Sequence, residues 1–515
     1  MILQRMLYFN FSITFYLSIN MKNIIALFFI SILIITGGNA QIKTGTATPE
    51  SLGISSQAIL DFIEAVEKER KDDLHSFMLI RHGQVAAQGW WNPYNPDSPH
   101  MLFSLSKSFT STAIGIAQAE GLLNINDPVI SFFPNDAPKD PSQNLKAMRI
   151  RDLLKMNTGH NDDATGRMRN DTVSWVKGFF SLTVEHKPGT HFVYNSAATF
   201  MLSAIIQKVS GKPMLEYLTP RLFEPLGIKN PTWENSPEGI NTGGWGLKIR
   251  TKDIANLGQL YLQKGMWNGK QLLPSAWVEE ATSMQTSNGS NPNSDWEQGY
   301  GYQFWRCRHN LYRGDGAFGQ YCIVFPEHDA VLAITSGTSD MGAIMNLIWD
   351  KLLPALQENP IAENKDAFAT LQNKLSSLAL STIKGSATSS LVKSISGKSY
   401  TMQANEEGIT NMVFNLKAKE PSITFSKGGN SFTIPFGDDM FKKGSYLVPV
   451  AGATPAASSG AWISSNTLEV RTYLYETPFY FTYTITFEKN DVTILQKMNV
   501  GFGPTAMPTL KGTKK

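Results

Sequence analysis

Ser104 and Lys107 are the residues of this chain whose types and spacing most directly suggest chemistry. The spacing S-x-x-K places a hydroxyl and an amine about one helical turn apart on the same face of a helix. A neighbouring amine can accept the hydroxyl proton and so make the serine a nucleophile. The partial positive charge of a helix N-terminus favours a neutral lysine and stabilises the serine alkoxide as it forms. We therefore predict that Lys107 activates Ser104.

The S-x-x-K spacing alone is not specific, because the chain contains it elsewhere: Ser174 with Lys177, Ser381 with Lys384, and Ser390 with Lys393. Ser104 differs in its setting, since it opens a long predicted helix of small and apolar residues directly after two predicted strands. On the motif alone, a serine that only caps a helix beside a solvated lysine is an alternative interpretation.

Tyr194 is the candidate for a third reactive group. It stands at the entry to a predicted helix, with Ser196 two residues later. A cation beside a tyrosine favours the phenolate, so Tyr194 next to a lysine can act as general base and general acid. The alternative is an aromatic residue that only packs in the core.

A glycine-rich strand end supplies candidate backbone donors. The predicted strand ends in Gly314-Asp315-Gly316, and a glycine-rich turn follows. Glycines let a substrate lie against the strand edge. The N–H groups of Ala317 and Ser104 could then form an oxyanion hole for an acyl intermediate. The alternative is a hairpin without a chemical role.

The elements that must position these residues predict an α+β fold, with one antiparallel sheet flanked by helices and interrupted by an all-helical insertion. The predicted elements are a helix at 55–70, strands at 75–80 and 85–91, the Ser104 helix, and a mostly helical block over about 124–290. They continue with strands at 301–306, 311–313, 320–325 and 331–335 and a helix at 341–356. We expect the site in the cleft between the sheet and the helical block.

The composition changes after about residue 360. We predict one domain over residues 41–360, a helical linker at 361–395, and an all-β barrel or sandwich at 396–515. An aromatic run in the β domain is expected to pack its core, although a ligand platform is the alternative; its members are Tyr473, Tyr475, Phe479, Tyr480, Phe481 and Tyr483.

Residues 1–40 read as a targeting segment. A basic start at Lys22, an apolar run and small residues before Gln41 predict a signal peptide cleaved after Ala40, with Met21 as the true initiator. A retained membrane anchor is the alternative, although the apolar run is short for a membrane span. We therefore expect a periplasmic or secreted protein with no membrane span after cleavage.

Charge and cysteine content exclude further classes of function. The net charge of +3 gives no indication of a nucleic-acid partner. The two cysteines, Cys307 and Cys322, lie in strands that another predicted strand separates, so we expect two buried thiols and not a disulfide. The sequence supports no Cys-based metal site.

Taken in order, several motifs resemble the serine β-lactamase and penicillin-binding-protein superfamily, in its class C-like branch of esterases, amidases and D-amino-acid peptidases. The matching segments, within about residues 52–356, are FSLSKSFTS, IRDLLKMNTGH, PGTHFVYNSAATFML, GGWGLKIRTKDIANLGQLYL and GDGAFGQYCIVFPEHDAVLAIT. The resemblance implies that Ser104 is the acylated nucleophile, Lys107 its proton partner and Tyr194 the acid/base.

Two positions depart from the β-lactamase pattern. Ser196 stands at the last position of Y-x-N, and Gly314-Asp315-Gly316 replaces the K-T-G strand. In β-lactamases that lysine and threonine attract the carboxylate of the antibiotic, whereas this chain offers Asp315. An anionic β-lactam should be held poorly unless Arg313 reaches inward. These features resemble more closely the 6-aminohexanoate-dimer hydrolase-like amidases and related esterases.

The sequence therefore predicts a secreted serine hydrolase that cleaves an ester, amide or peptide bond in a small molecule. Ser104, Lys107 and Tyr194 would be catalytic, with no metal or organic cofactor required. The alternatives are a D,D-peptidase or β-lactamase, or a non-catalytic envelope- or carbohydrate-binding protein that works through its C-terminal β domain. The substrate and the oligomeric state stay open.

Overall fold

The computed structural model describes residues 47–448 and 452–515. The predicted signal peptide at residues 1–40 lies outside the described residues. None of the helices in the described part combines the length and hydropathy that crossing a bilayer requires.

The helices are mostly short. Most of them lie between residues 106 and 282, in the segment that separates the strand Gln84–Trp90 from the strand Trp305–Arg306. In chain order, α1 to α14 are Ser56–Glu69, Ser106–Ala119, Gln143–Ala147, Ile150–Leu154, Thr165–Met168, Trp175–Phe180, Ser196–Ser210, Met214–Leu218, Glu224–Leu226, Thr251–Leu262, Ser275–Thr282, Met341–Leu347, Lys365–Ser376 and Val392–Ile395.

The strands fall into a first group of short and medium strands and a second, C-terminal group. In the first group, β1 to β11 are Leu74–Arg81, Gln84–Trp90, His100–Met101, Thr232–Trp233, Leu247–Ile249, Met266–Trp267, Lys270–Gln271, Trp305–Arg306, Tyr312–Gly316, Gln320–Phe325 and Ala330–Ser336. In the second, β12 to β21 are Ser399–Met402, Ile409–Asn415, Ser422–Lys427, Asn430–Pro435, Lys442–Val448, Gly452–Trp462, Thr467–Tyr473, Tyr480–Glu488, Asp491–Met498 and Leu510–Lys514.

A six-stranded antiparallel sheet with the order β2-β1-β11-β10-β9-β8 organises the part of the chain from about residue 47 to 350. Because side chains alternate along a strand, Met78 and Ile80 of β1 pack against the helical block, whereas Phe77 and Leu79 pack in a second core with α1 and α12. The sheet is thus covered on both faces. The predicted α+β architecture with a helical insertion is confirmed.

Helix α10 lies unusually close to the sheet. A Cβ atom on Gly258 would come within 2.5 Å of Val331 Cγ1 and 2.9 Å of Cys322 Sγ, so only glycine fits there. Cys322 and Cys307 are both buried free thiols, and strand β9 runs between β8 and β10. The prediction of two separate thiols is confirmed.

The C-terminal strands form a ten-stranded antiparallel sheet that curls into a nearly closed barrel. Its order is β15-β14-β13-β12-β21-β20-β19-β18-β17-β16, and the outer strands β15 and β16 lie beside each other. The sheet has its own core, built from residues 395–510. A cavity of about 580 Å³ remains inside, lined mainly by apolar side chains such as Ile423, Phe481 and Ile485. The predicted all-β C-terminal region is confirmed.

Three sequence-based elements are wrong in detail. The strand predicted at 301–306 is reduced to Trp305–Arg306, because Gln303 takes a positive φ of 65°. Its buried amide donates hydrogen bonds to Leu153 O and Leu154 O at 3.2 and 2.7 Å. This segment therefore bonds to the helical block and leaves the sheet.

The linker predicted as helical over 361–395 is helical only in α13 and in the short α14. The residues between them run without helix across the protein, and Asn92 N donates to Leu378 O at 3.0 Å. The helix predicted over 341–356 is regular only as far as Leu347, after which a π turn and a 3₁₀ turn that contains Pro354 continue it. Proline lacks the N–H that a regular helix needs.

Candidate active site

Ser104 lies in a 3₁₀ turn, Phe103–Leu105, that leads directly into α2. Phe103 has φ of 49°, a left-handed conformation that is costly for a non-glycine residue and that is held by its surroundings. Ser106 provides part of that hold, because its hydroxyl donates to Phe103 O at 2.6 Å and accepts from Leu247 N at 3.2 Å. The turn leaves the Ser104 side chain partly exposed.

Lys107 is the most enclosed group of the site, with only 1% of its surface exposed. Its Nζ lies 3.1 Å from Ser104 Oγ, 3.0 Å from Ser196 Oγ and 2.7 Å from Gly244 O. The predicted pairing of the hydroxyl and the amine across one helical turn is therefore present. A neutral amine has two N–H bonds and one lone pair, which match one carbonyl, one hydroxyl acceptor and the Ser104 O–H.

Burial lowers the pKa of Lys107 to about 7, although the carboxylates of Asp163 and Asp315 oppose this shift by favouring the ammonium form. The sequence-based expectation of a neutral Lys107 is thus supported, but its cause is desolvation and not the helix N-terminus. An amine with this pKa exists as free base in a large fraction of molecules near pH 7, as a general base requires.

Tyr194 lies against the lysine and belongs to an aromatic wall. Lys107 Nζ is 4.9 Å from the centre of the Tyr194 ring, and the ring stacks on Trp305 with centroids 5.2 Å apart. Burial, followed by the charge of Asp315, raises the pKa of Tyr194 well above its usual value, although the nearby Ser104 hydroxyl lowers it in part. The expectation that the lysine favours a phenolate is therefore wrong. Desolvation of the Tyr194 phenol dominates, and the Lys107 amine is uncharged in a large fraction of molecules near pH 7.

Asn195 and Ser196 occupy the second and third positions of the Y-x-N motif, and their side chains have different roles. Ser196 Oγ contacts Lys107 Nζ, whereas its N–H donates to Asp163 Oδ1 at 3.1 Å. Asn195 is fully buried, and its Oδ1 accepts from Ala197 N at 3.1 Å, capping α7. The structure thus places Ser196 in the site and Asn195 beneath it as a helix cap.

Strand β9 passes directly beside the nucleophile. A Cβ atom on Gly316 would lie 2.0 Å from Leu102 O and 3.1 Å from Leu105 N, so any side chain there would push the strand away from Ser104. Ala317 follows at the start of the turn and is partly exposed. Among the described residues, the Ala317 N–H donates to no other backbone group. It is therefore available for the predicted oxyanion hole.

Asp315 does not stand alone on this strand. Arg313 is fully buried and donates from Nε to Asp315 Oδ2 at 3.0 Å, while its Nη1 donates to Asp295 O at 2.8 Å. The guanidinium also lies 4.8 Å from the Trp296 ring. The charges of Arg313 and Asp315 compensate each other, so Arg313 offers no free cation to an anionic substrate.

The other S-x-x-K pairs have ordinary structural roles. Ser174 caps α6 by accepting from Lys177 N at 3.3 Å, and Lys384 forms an exposed ion pair with Asp439. Ser390 and Lys393 are both exposed. Lys107 thus differs from the lysines of the other S-x-x-K pairs because it is buried and contacts a second hydroxyl, that of Ser196.

Three residues of the site were not singled out from the sequence: Asp163, Gly244 and Trp305. Asp163 and Gly244 lie in loops far from Ser104 in the chain; Gly244 falls within the quoted segment GGWGLKIRTKDIANLGQLYL, but neither residue was assigned a role. Trp305 follows the irregular 301–304 segment, whose path the strand pattern did not predict. In the described residues, no group of three or more His, Cys, Asp or Glu side chains is arranged to hold a metal ion.

Comparison with known proteins shows the family to which the chain belongs. A family model described as beta-lactamase matches residues 66–352. The 6-aminohexanoate-dimer hydrolase of Paenarthrobacter ureafaciens is 24% identical over 315 residues, which cover 57% of this chain and 80% of that protein. A Bacillus subtilis (strain 168) protein described as a penicillin-binding protein, PbpX, is 25% identical over 197 residues, 36% of this chain and 49% of that protein.

A solved structure shares the fold. A Bacillus anthracis protein described as a 6-aminohexanoate-dimer hydrolase superposes with a TM-score of 0.50 at 19% identity, over 61% of this chain and 88% of that one. The matched part leaves more than a third of this chain without a counterpart in that structure.

Proposed function

Because the chain belongs to the beta-lactamase family, we propose that it is a secreted serine hydrolase that cleaves an ester or amide bond through an acyl-enzyme on Ser104. Members and neighbours of this family include hydrolases of the 6-aminohexanoate dimer, which is an amide. Secretion rests on the predicted signal peptide at residues 1–40.

One observation carries the proposal. The buried amine of Lys107, with a pKa lowered to about 7, lies 3.1 Å from the hydroxyl of a partly exposed serine. Burying a lysine costs free energy because the amine loses its water. Proteins retain a buried lysine mainly where a neutral amine takes part in chemistry. A lysine that only supported the fold would gain more stability at the surface.

Acylation then follows from the positions of the groups. Lys107 takes the Ser104 proton as Oγ forms a bond to the carbonyl carbon of the substrate, and the N–H groups of Ser104 and Ala317 stabilise the oxyanion. As the bond to the leaving group breaks, Tyr194, which is a protonated phenol, gives that group its proton. The Lys107 ammonium returns a proton to Tyr194, so the amine is neutral again.

Deacylation reuses the same groups. A water molecule attacks the ester carbonyl of the acyl-enzyme, and the Lys107–Tyr194 pair accepts its proton. The pair then protonates Ser104 Oγ as the acid product leaves. Lys107 Nζ lies 4.9 Å from the centre of the Tyr194 ring, so both groups are close enough to the acyl-enzyme carbonyl to serve this step.

The pH dependence of kcat/KM provides a test. Below the pKa of Lys107, about 7, the amine carries a proton and cannot accept another. The rate with a small neutral ester should therefore rise with pH through about 7 and fall about tenfold for each unit below it. A rate that is independent of pH from about 5 to 9 would contradict the assignment of Lys107 as base.

The closest rival is a D,D-peptidase or a β-lactamase, which the match to PbpX favours. Both substrates carry a carboxylate, whereas strand β9 presents Asp315, and its partner Arg313 is already neutralised. We expect neutral esters and amides to turn over faster than D-alanyl peptides or a penicillin in a parallel assay of all four. Slow release of a covalently bound fluorescent penicillin would instead favour the rival.

A purely binding role for the C-terminal barrel has less support. Its cavity is lined mainly by apolar side chains, with only a few polar ones such as Glu406, Glu407 and Gln496, and such a lining suits an apolar ligand better than a carbohydrate. None of the residues lining it belongs to the Ser104 site.

A further inference from the structure

Four phenylalanines meet beside the nucleophile, and we call Phe103, Phe318, Phe479 and Phe502 the aromatic quartet. The ring of Phe103 lies 5.3 Å from Phe318, 6.1 Å from Phe479 and 5.8 Å from Phe502, centroid to centroid. Phe318 lies 5.6 Å from Phe479 and 5.0 Å from Phe502. These separations are those of rings in direct edge or tilted contact.

The quartet combines two parts of the chain that the sequence separates. Phe103 immediately precedes Ser104, and Phe318 immediately follows Ala317, so each is covalently next to a proposed reacting group. Both residues take a positive φ, 49° for Phe103 and 66° for Phe318. Their side chains therefore do not follow the direction that the adjoining helix or strand would give them. Phe479 and Phe502 come from the C-terminal barrel.

The barrel segment that carries Phe479 is fixed to the hydrolase core. Met101 N donates to Glu476 O at 2.9 Å, and Tyr94 Oη donates to Thr477 O at 2.9 Å. Thr477 Oγ1 in turn accepts from Phe479 N at 3.1 Å. The backbone of the barrel segment is thus hydrogen-bonded to Met101, which lies only three positions before Ser104.

The loop that carries Phe502 is held as well. Asn499 Nδ2 donates to Gly337 O at 3.1 Å and to Pro478 O at 2.9 Å. Phe502 nevertheless remains 82% exposed, although it contacts two other aromatic rings. Phe502 thus forms one continuous apolar surface with Phe103 and Phe318, whose chain neighbours are Ser104 and Ala317, and a continuous exposed apolar surface is typical of a binding site.

We propose that the aromatic quartet is a substrate-binding subsite, completed by the C-terminal barrel, for an apolar group attached to the scissile carbonyl or to its leaving group. This inference rests on the proposed function of Ser104. An incoming alkyl or aryl group would cover Phe502 and the partly exposed edges of Phe103 and Phe479, removing their apolar surface from water. The barrel would thereby select substrates without taking part in the chemistry.

The test compares two rate ratios in the full-length protein: kcat/KM for p-nitrophenyl octanoate over acetate, and for phenyl acetate over ethyl acetate. Phe502→Ala and Phe479→Ala are expected to lower at least one ratio about tenfold, mainly through KM. Phe479→Leu should retain more of the preference than Phe479→Ala. Leu495→Ala, which removes a 54% exposed side chain elsewhere on the barrel, serves as the matched control and should change neither ratio.

The outcomes separate this inference from the proposed function. Both ratios within about twofold of wild type in Phe502→Ala would overturn the subsite, as would a change of oligomeric state in place of a change in KM. In either case a fluorophosphonate should still label Ser104 if the proposed function is correct. Thermal unfolding of Phe479→Ala shows whether the barrel stays attached, and Phe502→Ala, which buries little, tests the idea without that risk.

Discussion

Replacing Ser104 by alanine is expected to lower kcat for p-nitrophenyl acetate by at least about 10³-fold, because the variant lacks the hydroxyl that forms the acyl-enzyme. Ser196 Oγ also contacts Lys107 Nζ, at 3.0 Å, but it lies at the start of α7 and not beside β9. The measurement is steady-state hydrolysis with purified protein, followed by a burst experiment that would show no acyl-enzyme in the variant.

Ser390→Ala is the matched control for this substitution, because Ser390 has the same S-x-x-K spacing but is exposed. It should retain full activity. Thermal unfolding of Ser104→Ala should be close to wild type, since the side chain is partly exposed. Turnover by Ser104→Ala at the wild-type rate would refute the assignment of the nucleophile.

Lys107→Met is expected to lower kcat/KM by about 10³-fold, since it keeps a long side chain and removes the amine that lies 3.1 Å from Ser104 Oγ. Tyr194→Phe should cost less, because it removes only a proton donor. The double variant should be little slower than Lys107→Met alone, because groups that act as one unit lose their contribution together. Kinetics of all three variants, fitted as a double-mutant cycle, measure this coupling.

Lys252→Met controls for the loss of a lysine, since Lys252 is exposed at the start of α10. Lys107→Met also leaves Gly244 O and Ser196 Oγ without their partner, so some loss of stability is expected. Activity measured well below the unfolding temperature separates that effect from catalysis. Additive losses in the double variant would show that Lys107 and Tyr194 act independently.

The sequence predicted the pairs that lie close together in the chain. Ser104 and Lys107 are joined by one helical turn, so their contact follows from local geometry alone. Tyr194 and Gly316 were reached through motifs in a fixed order along the chain. Their arrangement around Ser104 depends on the fold, which the alternation of strands and helices predicted correctly.

What the sequence could not predict depends on burial and on contacts between distant segments. The protonation state of Tyr194 was predicted with the wrong sign, because the desolvation that raises its pKa comes from neighbours such as Trp305. The strand at 301–306 failed because a single buried amide, that of Gln303, bonds to the helical block. Neither effect leaves a periodic pattern.

The C-terminal barrel illustrates the same limit. Its strands were recognisable by alternation, and the aromatic run within it was expected to pack a core. Phe481 and Tyr483 do line the barrel cavity. Phe479, two residues earlier, leaves the barrel and joins Phe103, since it precedes β19 in a loop that bonds to the hydrolase core. The alternation of side chains between the two faces of a sheet holds only within a strand, so it does not predict where a residue just outside the strand points.

The most direct test of the account is the site of covalent labelling. The full-length protein is treated with a fluorophosphonate, digested, and analysed by peptide mass spectrometry, with Lys107→Met run in parallel. We predict one adduct, on Ser104, formed much more slowly in Lys107→Met. An adduct on a different serine, or equal labelling of Ser104→Ala, would contradict the claim that Ser104 is the nucleophile activated by Lys107.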